Sequence, residues 1–169
     1  MYVNNADFYK AIVQYKKDCR LAKKNNEAKP KIPDILGKQL LLIAENLSHK
    51  SWFSSYPFKE ELIGDAIENC ILYFDNFNPK KYKNPFAYFT QIIYFAFRRR
   101  IIKERKQLYT KYKFAEHQAV LGEQEQSQPD EDGMARQQFE QYDNITDFIK
   151  NFEDMESEKK KKISEKKNK

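Results

Sequence analysis

The chain has 169 residues, 40% of them hydrophobic and 33% charged, enough for one modest domain with polar extensions. Four Gly and six Pro favour long helices over strands and tight turns, and no apolar run approaches the roughly 20 residues that a membrane-spanning helix needs. A net charge of +6 favours an anionic partner, while two cysteines, Cys19 and Cys70, exclude a disulfide framework. With no signal-peptide pattern at its start, the chain is expected to be soluble and intracellular.

Residues 5–24 place Phe8, Ile12, Tyr15 and Cys19 at helical spacing, which predicts a helix with a narrow apolar face. Two prolines, Pro30 and Pro33, make residues 25–33 a linker. Asp34 is the expected N-cap of a second helix reaching about Ser48, with Ile35, Leu36, Leu40, Ile43, Ala44 and Leu47 as its stripe. Residues 48–57 read as a loop carrying Trp52, Phe53 and Tyr56, where Trp52 can simply plug the domain edge. Pro57 is suited to a first helical position, and Glu60 and Glu61 suit a first turn. That third helix carries Leu62, Ile63, Ala66, Ile67, Cys70, Ile71 and Phe74 on one stripe and ends near Asp75. Both cysteines fall on such stripes, which suits buried free thiols.

After the turn Asp75-Asn76-Phe77-Asn78-Pro79, Asn84-Pro85 opens a fourth helix expected to reach about Tyr112. At about 100° per residue it has two apolar faces. Phe86, Phe89, Ile93, Phe97 and Ile101 share one, suited to packing on the preceding helix. Tyr88, Gln91, Ile92, Phe95 and Arg99 share the other, flanked by Arg98 and Ile102. Two explanations stand for the second face. Either the helix is central and buried all round, or its rings meet unstacked bases while its arginines hold phosphates. Arg98 and Arg99 favour the latter, because a deep core has no place for them.

Charge is segregated. Arg98–Lys113, including Lys103, carries eight basic residues against one acidic; Phe114–Glu158 carries thirteen acidic against two basic; Lys159–Lys169 carries seven lysines against one glutamate. The first block suits phosphates, although a basic helix end also suits the helix dipole. Residues 121–134 read as a disordered acidic linker. Residues 136–155 regain weak helical character through Phe139, Tyr142, Ile145, Phe148, Ile149 and Phe152, and the terminal lysine run reads as disordered. No catalytic set is visible: His49 and His117 are isolated, with no metal-ligand spacing and no glycine-rich phosphate loop.

Glu61-Leu62-Ile63-Gly64-Asp65-Ala66-Ile67, then Phe77-Asn78-Pro79, then Phe86-Ala87-Tyr88-Phe89-Thr90 resemble conserved region 2 of bacterial sigma factors in order and spacing. Leu42-Ile43-Ala44-Glu45, Tyr82-Lys83-Asn84-Pro85, Ala87-Tyr88 and Lys103-Glu104-Arg105-Lys106 are similar to the late-transcription sigma factors of T-even-type bacteriophages. The likeness covers roughly residues 35–113, about half of the chain.

That resemblance implies an all-α, sigma region 2-like bundle of about four helices. Residues 1–33 would form an N-terminal helix and linker, 34–115 the bundle, and 116–169 an acidic linker and tail. It implies docking of Glu61, Asp65, Ile67 and Ile71 on the β′ coiled coil of host core RNA polymerase. Tyr88, Gln91, Ile92, Phe95, Arg98 and Arg99, followed by Lys103, would recognise and open an AT-rich, −10-type promoter element. Housekeeping sigma factors carry a Trp pair where Gln91-Ile92 stands, so opening would lean on Tyr88 and Phe95. The chain is too short for a second promoter-reading domain, so help is expected from the phage sliding clamp and a late co-activator. Ile145, Asp147, Phe148 and Ile149 resemble the clamp-binding motif, which in the family ends the chain, whereas about twenty residues follow here. The plain alternative for Phe148 and Ile149 is an amphipathic helix packed on the domain. The expected function is thus a non-enzymatic sigma factor in the host bacterial cytoplasm, with no cofactor, metal or membrane. The alternative is a helical polymerase-binding adaptor or anti-sigma-like protein that reads no DNA.

Overall fold

The computed structural model describes residues 3–122 and 134–167, with side chains described for 3–118 and 144–165. Those residues are all-helical: α1 (Asn5–Lys24), α2 (Asp34–Ser48), α3 (Ser51–Ser54), α4 (Lys59–Leu72), a 3₁₀ turn (Phe74–Asn76), α5 (Pro85–Gly122) and α6 (Met134–Lys167). No strand occurs among the described residues. The chain divides into two compact units, Met1–Ile101 and Ile102–Lys169.

In the first unit, α1 starts where the Asn4 side chain accepts the Ala6 amide at 3.0 Å. Its apolar face buries Phe8, Ile12 and Tyr15, while Cys19 is only half-buried. Two tyrosines anchor α1 to irregular backbone: Tyr9 donates to the Pro79 carbonyl at 2.9 Å, and Tyr15 to that of Pro30 at 3.1 Å. Burial, reinforced by a hydrogen bond with Cys19, pushes the Tyr15 phenol up, which keeps it a donor. α2 buries Leu36, Leu40, Ile43 and Ala44 but turns Ile35 outward. Pro33 occupies its cap position with no side-chain hydrogen bond, so Asp34 is the first helical residue and not the cap.

The expected loop at 48–57 contains a helical turn, α3, because Phe53 is drawn into the core while Trp52 stays outside. α4 begins at Lys59 with Phe58 as its cap residue, and Pro57 lies outside it. It ends at Leu72, and the 3₁₀ turn that follows buries Phe74. Its stripe seals Leu62, Ala66 and Cys70, and burial pushes the Cys70 thiol up to about 12. α5 opens as the Asn84-Pro85 signal predicts, with the Asn84 side chain accepting the Ala87 amide at 3.0 Å.

Phe89 stands at the middle of the core. Its ring centroid lies 5.7 Å from that of Phe8, 5.3 Å from Phe74 and 5.9 Å from Phe77. Ile93, Ala96 and Phe97 continue the same face, and Phe97 meets Phe53 edge-on at 5.1 Å. Phe86, expected on this face, is 41% exposed. It lies in the first turn of α5, where an open groove of about 390 Å³ lined by Val3, Ile43, Leu47 and Thr90 leaves it uncovered.

The second unit contains the C-terminal part of α5 and α6. Tyr109 stacks on Phe152 at 4.6 Å, Tyr112 meets Phe148 edge-on at 5.3 Å, and Ile149 is buried. Tyr109 donates to Glu153 at 2.8 Å, and Lys113 reaches both Glu153 and Glu116 at 3.1 Å. α5 therefore continues past the expected end at Tyr112 to Gly122. The lysine-rich tail is helical to Lys167 and not disordered, since acidic residues one turn earlier pair with it: Glu156 with Lys159 at 2.9 Å, Glu158 with Lys162 at 3.8 Å. Of the expected acidic linker at 121–134, Leu121, Gly122 and Met134 are helical and 123–133 lie outside the described residues.

Two outcomes follow from this packing. Phe89→Ala should lower the unfolding free energy by about 3–5 kcal/mol, whereas Phe86→Ala should change it by less than about 1 kcal/mol, as denaturant titration would show. The hydrogen bond from Tyr109, joined by Lys113, holds Glu153 below its ordinary range, while the same contacts raise Tyr109 and Lys113. The stabilisation from Glu153 is present above its unfolded pKa and is lost as acid protonates it; that from Tyr109 and Lys113 is present below theirs and is lost in alkali. Helical content of the full chain should report loosening at both extremes, and Glu153→Gln should reduce the acid-side loss, the remainder coming from Glu156, which its hydrogen bond with Lys159 also holds below the ordinary range.

Candidate nucleic-acid interface

The core contacts of Phe89, Ile93 and Phe97 fix the rotation of α5, which turns Tyr88, Gln91, Ile92, Phe95 and Arg99 to the opposite side. The structure brings these five residues together along one cleft of about 270 Å³, which Tyr73 and Asn76 complete from the end of α4 and its 3₁₀ turn. Phe95 is 45% exposed, and Gln91 and Arg99 are exposed. Tyr88 and Ile92 are half-buried at the floor. Tyr88 is held edge-on against Phe77 and Phe89, each at 5.2 Å, and lies 5.7 Å from Tyr82. Burial, with Tyr82 beside it, pushes the Tyr88 phenol up, so it remains a neutral hydrogen-bond donor.

The arginines differ in their partners. Arg99 donates to the Asn69 side chain at 2.7 Å. Arg100 bonds both carboxylate oxygens of Asp65 at 3.2 and 3.3 Å. Arg98 lies 5.9 Å from the Tyr94 ring, within cation–π range. Lys103 is exposed and belongs to the second unit.

The residues expected to dock polymerase all lie on α4. Glu61 is exposed, Ile71 is 53% exposed, and Ile67 is half-buried against the core. Asp65 is half-buried and engaged by Arg100, while its backbone carbonyl accepts from Asn69 at 2.6 Å. Gly64 shares this outward side, and a Cβ placed on it would meet nothing within 4 Å. Of the expected clamp-binding residues, Asp147 is exposed, Ile145 and Phe148 are half-buried, and Ile149 is buried. Phe148 and Ile149 thus have packing roles on α6 already.

Sequence reasoning missed Tyr73 and Asn76. Their signal was the break between Leu72 and Phe74, which takes Tyr73 off the helical stripe and beside the outward face. It also missed the pairs Asp65–Arg100 and Asn69–Arg99. These had a readable signal in two polar residues four apart facing two adjacent arginines.

No metal-binding group of three or more His, Cys, Asp or Glu occurs among the described residues, and no helix there is long and apolar enough to cross a membrane. The chain matches no protein-family model, and no curated protein matches it.

Since Gly64 touches nothing, Gly64→Ala should stabilise the protein by about 0.5–1 kcal/mol through helix propensity. A rise in the denaturation midpoint without a change in slope is the expected reading.

Proposed function

We propose that this chain is a sigma-type subunit that binds host core RNA polymerase and directs it to phage late promoters. The proposal rests on the sequence resemblance to sigma region 2 and on one observation. Five of the residues that resemblance singles out, Tyr88, Gln91, Ile92, Phe95 and Arg99, line a single cleft on the outer side of α5, and Arg98 and Lys103 lie outside its lining.

The mechanism is stoichiometric binding. Exposed α4 residues, with Glu61 and Ile71 foremost, attach the factor to the β′ coiled coil. Melted non-template bases enter against Phe95 and Tyr88, and Arg98 and Arg99 neutralise the backbone. Stacking contributes roughly 1–3 kcal/mol per base, which favours the opened strand over the duplex. Phosphate neutralisation makes the affinity fall steeply with salt. The segment Ile145–Ile149 tethers the complex to the sliding clamp and its co-activator, raising local concentration with no new promoter contact. Since Ile149 is buried, clamp capture through that residue requires this part of α6 to open.

The adaptor reading requires the second face of α5 to be taken up by packing. Of Tyr88, Phe95 and Arg99, whose burial would favour the adaptor, Tyr88 is half-buried against the core while Phe95 and Arg99 are exposed, and the latter two support the promoter-reading account.

Reconstitution with a bacterial core polymerase on a TATA-like late promoter is the central experiment, and specific run-off transcript is the expected result. Arg99→Ala should weaken promoter binding about 5- to 100-fold, as loss of a charge-assisted contact does, and leave core-enzyme affinity intact. Glu61→Lys should do the reverse. Asp147→Lys, at an exposed position, should leave basal transcription unchanged and remove clamp stimulation. Core polymerase that initiates equally well without the chain would overturn the proposal.

A further inference from the structure

The cleft does not end the aromatic surface. From Phe95, which lines it, ring contacts continue to Tyr94 at 5.7 Å and from Tyr94 to Trp52 on α3 at 6.5 Å. Arg98 sits over the same Tyr94 ring. Trp52 is the only tryptophan of the chain and is 76% exposed. Its neighbour Phe53 is buried against Tyr94 and Phe97, so the turn carrying Trp52 is pinned to the core while the indole projects. An anchored turn that holds its largest apolar ring in water has no internal packing reason to do so.

We infer that Phe95, Tyr94 and Trp52 form a track for single-stranded nucleic acid, with Trp52 as a second stacking site beyond the cleft. This deepens the proposed promoter reading and rests on it. Charge selects the occupant. Neither the segment Ser48–Tyr56 nor α5 from Pro85 to Ile101 contains a carboxylate, while Lys50, Arg98 and Arg99 are exposed along them. These two segments offer rings and cations with no acid of their own, and Asp65 on the facing α4 is engaged by Arg100, which leaves them complementary to a polyanion with exposed π-faces. Recognition here is of strandedness: stacking tolerates any base, and a duplex hides the faces that the indole needs. The second site extends the captured strand past the bases held by Tyr88 and Phe95, and it supplies an indole in a chain that has Gln91-Ile92 at the centre of its cleft.

The lone tryptophan makes the test direct. Full-length protein is titrated with an unlabelled AT-rich single strand of about ten nucleotides, within the range one such surface holds, and with the matching duplex. The single strand should quench Trp52 emission in a salt-sensitive manner, and the duplex should not. By anisotropy of a labelled copy of the strand, Trp52→Ala should bind about 5- to 100-fold more weakly and Trp52→Phe should recover most of that loss. Both variants should keep the parental helical content and melting temperature. Strand binding without quenching, or with unchanged affinity in Trp52→Ala, would overturn the track while leaving the cleft reading intact. Loss of core-polymerase affinity in Trp52→Ala with strand affinity unchanged would reassign the indole to a protein contact and equally overturn it. Absence of any strand binding by the parent, alone or with core polymerase, would remove the promoter reading itself.

Discussion

The ring cluster around Phe89 is the constraint from which the rest of the first unit follows. Phe8 comes from α1, Phe74 and Phe77 from the segment after α4, and all three close on one side chain of α5. Such contacts are dense and directional, and they set both the position and the rotation of the helix they hold. Once Phe89 is fixed, helical geometry leaves no choice about where Phe95 and Arg99 point. The cleft is therefore first of all a product of core packing, which sets the side of α5 on which its residues emerge.

Polar contacts complete the placement. Asp65 and Asn69 stand four residues apart on α4 and receive Arg100 and Arg99 from α5. The helix proposed to hold polymerase and the helix proposed to hold DNA are thus joined by two charge-assisted links over a shared aromatic core. The pairs are partly exposed, so each stabilises by only about 1 kcal/mol or less, and orientation is their larger contribution.

The sequence was most legible where periodicity and capping agree. The Asn84-Pro85 start, the inner face Phe89-Ile93-Phe97 and the outer face Tyr88-Gln91-Ile92-Phe95-Arg99 were all readable from one helical wheel. Legibility failed where a wheel carries no information about ends. Phe86 lies on the correct arc but in the first turn, beyond the cover of its neighbours. Phe53 and Trp52 looked alike as loop aromatics, and only tertiary packing separates the buried ring from the projecting one. The lysine-rich tail was misread from composition, since acidic residues one turn earlier supply the helix with counter-charges. Tyr73 and Asn76 escaped notice because a cleft wall built from a turn has no period to detect.

The bond between Arg99 and Asn69 has a thermodynamic corollary. A guanidinium carries five N–H donors, and the 2.7 Å bond to the Asn69 amide engages one of them, so a phosphate can be received on the others without displacing it. A side chain held in this way has already given up part of its rotamer freedom, so less is lost when a strand orders it.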